Sequence, residues 1–115
     1  MQNSKNYHKN VWILSGTSDG PAIVKKLLKL NYQVFASVVT YRASRSYVKN
    51  SKLHIITGKL KDTTEIIDFI KKNKINYVVD VTHPFALIIS KNLFEACKII
   101  KKPLFTFVRK SEKKS

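Results

Sequence analysis

Residues Tyr77–Ala86 read Y-V-V-D-V-T-H-P-F-A. Tyr77–Val81 is a short apolar, β-branched run holding one acid, Asp80. Such a run predicts a strand covered on both faces, as in a parallel sheet. Thr82, His83 and Pro84 then break the pattern. Proline has no N–H for a sheet ladder, and its fixed φ suits a first helical turn. The apolar segment from Phe85 onward is therefore predicted as a helix. A polar cluster thus stands where a central strand ends and a helix begins, which is where open α/β sheets bind ligands. The plainer reading has Thr82 capping the helix and His83 in a loop.

The flanking chain repeats this alternation. Val11–Leu14 (V-W-I-L) predicts a first buried strand, followed by the small polar turn Ser15-Gly16-Thr17-Ser18-Asp19-Gly20. Pro21 opens a helix to about Leu30, with Ile23, Val24, Leu27 and Leu28 on one face and Lys25, Lys26 and Lys29 on the other. Asn31 suits a left-handed stop. Gln33–Thr40 predicts a second strand, Tyr41–Lys52 a basic loop without a period, and Leu53–Thr57 a third strand ended by Gly58. Asp62-Thr63-Thr64-Glu65 has capping-box spacing and starts a helix to about Asn73, with Ile66, Ile67 and Ile70 inward. The third long helix is predicted over Phe85–Lys102, with Phe85, Ile88, Ile89, Leu93, Ala96, Cys97 and Ile100 on its apolar face. Pro103 ends it, and Leu104–Val108 is a fifth strand.

Buried strands alternating with amphipathic helices predict an α/β fold, a Rossmann-like three-layer sandwich. Right-handed crossovers give a five-stranded parallel sheet of order 3-2-1-4-5. The organisation expected is a disordered polar leader over 1–10, one domain over 11–109 and a charged tail over 110–115. In that order strands 1 and 4 are neighbours, so the turns at Gly16–Gly20 and Thr82–Pro84 open onto one crevice.

Composition narrows the classes. A chain of 115 residues, 43% hydrophobic, suffices for one modest core. No apolar run is long enough to span a membrane, and Met1–Asn10 lacks a signal-peptide core. The single cysteine, Cys97, excludes an internal disulfide framework and a cysteine-rich metal site. A cytoplasmic location is expected. The formal net charge is +15, from 22 Lys and Arg against 7 Asp and Glu. That balance raises a basic nucleic-acid-binding module as an alternative function. The excess is nearly all lysine, however, and aromatic residues are not interleaved with it as a stacking platform requires. Solvated helix faces account for it without a nucleic-acid partner.

Several residues suit chemistry. Gly16, Thr17, Ser18 and Asp19 join a strand to a helix, where close backbone approach and the helix start favour a phosphate. A bare structural turn, with Asp19 as helix cap, is the competing reading. Between Gln33 and Lys61 there is no acid, but Arg42 and Arg45 follow the second strand. NAD-binding domains usually place an acid at the end of that strand, whereas arginine suits a 2′-phosphate, so NADPH is the expected cofactor. A solvated basic loop competes with that reading. Asp80, buried in its strand, needs partners, and either takes N–H groups of the Thr82–Pro84 turn or orients His83. His83 is the candidate for polarising a substrate or passing a proton. No second ligand lies at metal-binding spacing from it. Cys97 is expected in the core.

The block Val78–Ala86 (V-V-D-V-T-H-P-F-A), with Ile89, Ser90, Asn92, Ala96 and Cys97 after it, resembles the signature of precorrin-6A reductases. The opening I-L-S-G-T-S-D-G resembles that family's first-strand turn, with Ser15 in place of its first glycine. The likeness runs from about Val11 to Arg109. It implies NADPH-dependent reduction of precorrin-6A, or its cobalt form, in cobalamin biosynthesis, with a tetrapyrrole corrin precursor as substrate. It further implies two Rossmann-like halves enclosing a cleft, of which this chain is the N-terminal one; a truncated product, a split gene with a separate C-terminal half, and a degenerate remnant are the alternatives for the second half. By position Gly16, Thr17, Ser18 and Asp19 belong to the first turn, and Thr82, His83 and Pro84 to the cleft. The family's L-R-x-E-R-P after the fifth strand stands here as Phe105–Lys110, where only Arg109 matches. A fragment that binds nucleotide without catalysis is a further reading.

Overall fold

The computed structural model describes residues 9–60, 62–83 and 85–108. Its elements are β1 Asn10–Ser15, α1 Gly20–Lys29, β2 Gln33–Val38, α2 Tyr41–Ser44, β3 Leu53–Thr57, α3 Thr63–Lys72, β4 Tyr77–Val81, α4 Leu87–Ile100 and β5 Leu104–Thr106. The strands form one sheet of order β3-β2-β1-β4-β5, and every neighbouring pair is parallel. The predicted fold class and strand order both hold. The expected leader and tail fall mostly outside the described residues, as do Pro84 and Arg109.

Each face of the sheet carries its own core. Trp12 and Leu14 of β1 and Val78 of β4 pack with Ile66 and Ile70 of α3 and Leu93, Ala96 and Cys97 of α4. Ile13, Val34, Ala36 and Val81 pack with Val24 of α1 on the other face. The two-sided cover explains why V-W-I-L and Y-V-V-D-V lack polar alternation. Trp12 is fully buried, and its indole N–H donates to Ser37 Oγ at 2.9 Å while its ring stacks on Phe69. That bond removes the cost of an unpaired buried donor.

Helix ends follow local chemistry. Asp62 accepts from Glu65 N at 2.9 Å, satisfying an orphan donor of α3. Asn31 adopts φ 71°, the left-handed stop expected of it. Gly58, at φ 122°, ends β3 in a conformation that side chains disfavour.

Several boundaries differ from the sequence reading. The stretch predicted as a basic loop contains α2, a single turn whose N-cap Thr40 accepts from Ala43 N at 3.1 Å. Recruiting Thr40 as a cap also ends β2 at Val38 rather than Thr40. Helix α4 starts at Leu87, not Phe85, because Ala86 N donates to His83 O in a turn before it. Phe85 and Ile88, expected inward, are 82% and 78% exposed. At roughly 100° per residue Ile88 falls on the side of the helix away from Leu93. Strand β5 stops at Thr106, and Val108 is exposed. Among the described residues, no helix is long and apolar enough to cross a membrane.

Candidate functional site

The carboxyl ends of β1 and β4 meet as the strand order requires. Gly16 N donates to Val81 O at 3.0 Å, tying the two turns together. A Cβ at Gly16 would stand 3.1 Å from His83 N and 3.2 Å from Thr82 Cα. Glycine is needed here for close approach of two backbones rather than for an unusual φ.

Buried Asp80 shapes the second turn. Its Oδ1 accepts from Thr82 N at 2.9 Å and from Thr82 Oγ1 at 2.6 Å. Its Oδ2 accepts from Ser90 Oγ at 2.7 Å, which fastens α4 to the strand end. Three donors answer the cost of burying the carboxylate. Of the two roles read from sequence, holding the turn is the one seen, and the bond to His83 is not. Thr82 likewise serves Asp80 instead of capping α4. His83 Nδ1 accepts from Phe85 N at 3.1 Å. In the neutral ring Nε2 is then the protonated nitrogen, a donor on an exposed side chain.

Two cavities flank the meeting point. One, of about 340 Å³, lies across the strand ends between Leu14, Ser37, Leu60, Thr82, His83 and Ile89. The other, of about 320 Å³, lies between the Gly16–Ser18 turn and the α2 segment, against Pro21, Ala43, Ser46 and Tyr47. Ser15, Gly16, Val38 and Val39 line both. None of the described residues lining either cavity is acidic. The second cavity is rich in hydroxyls, from Ser15, Thr17, Ser18, Ser46 and Tyr47, and adjoins the start of α1. Hydroxyls and a helix N-terminus suit an anionic ligand, with the Asp19 carboxylate at that helix start held by Thr17.

The sequence candidates divide accordingly. Gly16, Thr17, Ser18, Thr82 and His83 line the crevice. Asp19 stands at the N-cap of α1 without a side-chain capping bond, and Thr17 Oγ1 donates to its Oδ2 at 3.5 Å. Asp80 lies behind the crevice, supporting Thr82. Arg42 and Arg45 are exposed on and just after α2, while their neighbours Ala43 and Ser46 line the second cavity. Pro84 lies outside the described residues. Sequence reasoning missed Tyr47, which sits in a stretch without a period. It also missed Gly58–Leu60, which the strand-end rule applied to β3 would have found.

A family model described as Precorrin-6x reductase CbiJ/CobK matches residues 10–115. The chain belongs to this family. The precorrin-6x reductase relatives include the cobalt-precorrin-6A reductase of Methanocaldococcus jannaschii, 37% identical over 106 residues. That match takes in 90% of this chain and 41% of the relative. The cobalt-precorrin-6A reductase of Priestia megaterium is 31% identical, over 89% of this chain and 39% of the relative. The chain thus spans about two-fifths of the length of these curated relatives. Among solved structures, one titled CobK precorrin-6A reductase superposes with a TM-score of 0.73 at 24% identity, over 88% of this chain and 39% of that one. The Bordetella bronchiseptica enzyme WbmH, in complex with NAD+, superposes with a TM-score of 0.70 at 16% identity, over 83% and 37%. At these identities the two structures speak to the fold.

Proposed function

We propose that this chain is the cofactor-binding part of a precorrin-6A or cobalt-precorrin-6A reductase, and that its cofactor is NADPH. The observation that supports this best is the contact of the Gly16 turn with the Thr82–His83 turn beside two cavities whose described lining residues include no acid, in a member of this family. The chemistry such a cofactor supplies when bound is hydride reduction of a ring double bond. Thr17, Ser18 and the start of α1 hold its phosphates, with Asp19 shaping the turn. Arg42 and Arg45 on the α2 segment answer the 2′-phosphate. Asp80 and Ser90 keep Thr82 and His83 at the crevice. His83 presents its Nε2–H to the substrate, where it polarises the reacting ring or passes a proton. A polycarboxylate tetrapyrrole is drawn by the net charge of +15. The part of the relatives that this chain does not span supplies the other wall of the cleft, as a second half in the same or another chain. A cytoplasmic location accompanies this reading.

The test is the double variant Arg42→Ala/Arg45→Ala. Losing charge-assisted bonds to a phosphate predicts a fall of about tenfold or more in NADPH affinity, with NADH affinity unchanged. Unaltered NADPH affinity would remove the 2′-phosphate assignment.

A further inference from the structure

We propose that Tyr47 is a positioning residue, tethering the α2 segment to the glycine turn and so setting the preference for the cofactor's 2′-phosphate. The proposal rests on the NADPH reading above. Tyr47 spans the second cavity, and its hydroxyl donates to Ser15 Oγ at 2.6 Å, across 32 positions of sequence. Burial raises the phenol's pKa above 10.0, so it stays protonated and available as a donor. Gly20 makes room for the pair, since a Cβ there would run into both Ser15 Oγ and the Tyr47 hydroxyl.

The α2 segment needs such a tether. None of its four residues is buried, and a single helical turn is not stable alone. From it the backbone runs on through Arg45 N to Arg42 O, Ser46 N to Ala43 O and Tyr47 N to Ser44 O, at 3.2, 3.3 and 3.2 Å. Those bonds couple the position of Tyr47 to that of Arg42 and Arg45. The Tyr47 ring packs against the Ile13–Val34 core cluster, so the hydroxyl adds register to a contact the ring already makes.

Tyr47→Phe keeps the ring and removes the tether, and Ser15→Ala removes it from the other side. NADPH and NADH affinities are measured by calorimetry for wild type, each variant and the double variant. Amide exchange over Arg45–Tyr47 and thermal melting are recorded alongside. One hydrogen bond predicts a loss of about three- to tenfold in NADPH affinity for each variant. The double variant should lose no more than either single one. NADH affinity should fall less than NADPH affinity and the melting temperature by a few degrees at most, about what one hydrogen bond is worth, while the Arg45–Tyr47 amides exchange faster. Equal loss for both cofactors in step with melting would make Tyr47 merely structural, and unchanged exchange would overturn the tether. A wild type without preference for NADPH would instead refute the cofactor reading, and exchange at Arg45–Tyr47 would still decide whether the hydroxyl holds α2.

Discussion

At the scale of single residues, burial decides what each polar or ionisable group does. Asp80 is buried and spends its two oxygens on Thr82 and Ser90, so it acts on the crevice through the backbone turn it holds. Cys97 is on the buried face of α4, where burial pushes its thiol from 9.0 up to about 11. In the unfolded chain the thiol ionises first. Its contribution to stability is therefore complete below about pH 9 and lost as pH rises to about 11. A shift of this size corresponds to about 2–3 kcal/mol, the amount by which wild type should lose more stability than Cys97→Ala over that window. Urea unfolding at a series of pH values checks it, with parallel pH profiles as the opposing result. The sequence showed that Asp80 needed partners and that Cys97 faced the core. It did not show Ser90 as a partner, because that bond joins α4 to the end of β4. Nor did it show the Tyr47–Ser15 bond, whose ends are set together by the fold alone.

At the scale of elements, the long periodic pieces were legible and the short ones were not. The strand Tyr77–Val81 and the Asp62 cap follow local rules that one sequence displays. Helix α2 has too few residues to show a period, and only the Thr40 cap marks it. The start of α4 was misplaced because the turn His83–Ala86 carries apolar residues that read as helix. Gly16 is the joint between elements. Alanine there keeps an allowed backbone but presses a methyl on two backbone atoms at 3.1 and 3.2 Å. Overpacking of that kind predicts a loss of about 1–3 kcal/mol in stability, read from the urea midpoint. Because the contact is between the two turns, NADPH affinity should fall with it. A Gly16→Ala chain as stable as wild type and binding NADPH equally well would show that the turns need no such approach.

At the scale of the whole molecule, topology brings the candidate residues together. Gly16–Asp19 and Thr82–His83 are far apart in sequence, and only the order β3-β2-β1-β4-β5 makes β1 and β4 neighbours. Right-handed crossovers imply that order from the strand and helix pattern, so the crevice itself was legible. What lay beyond the sequence was its division into two cavities, which depends on where Val38, Val39 and the loops after β2 and β3 come to rest. The charge of +15 acts at this scale too, favouring an anionic ligand over the whole surface. Calorimetric titration of the purified chain with NADPH, and with NADH as control, at physiological salt tests the central claim most directly. Saturable binding of NADPH, tighter than that of NADH, is the result predicted. A folded chain that binds neither, or binds both alike, would contradict it.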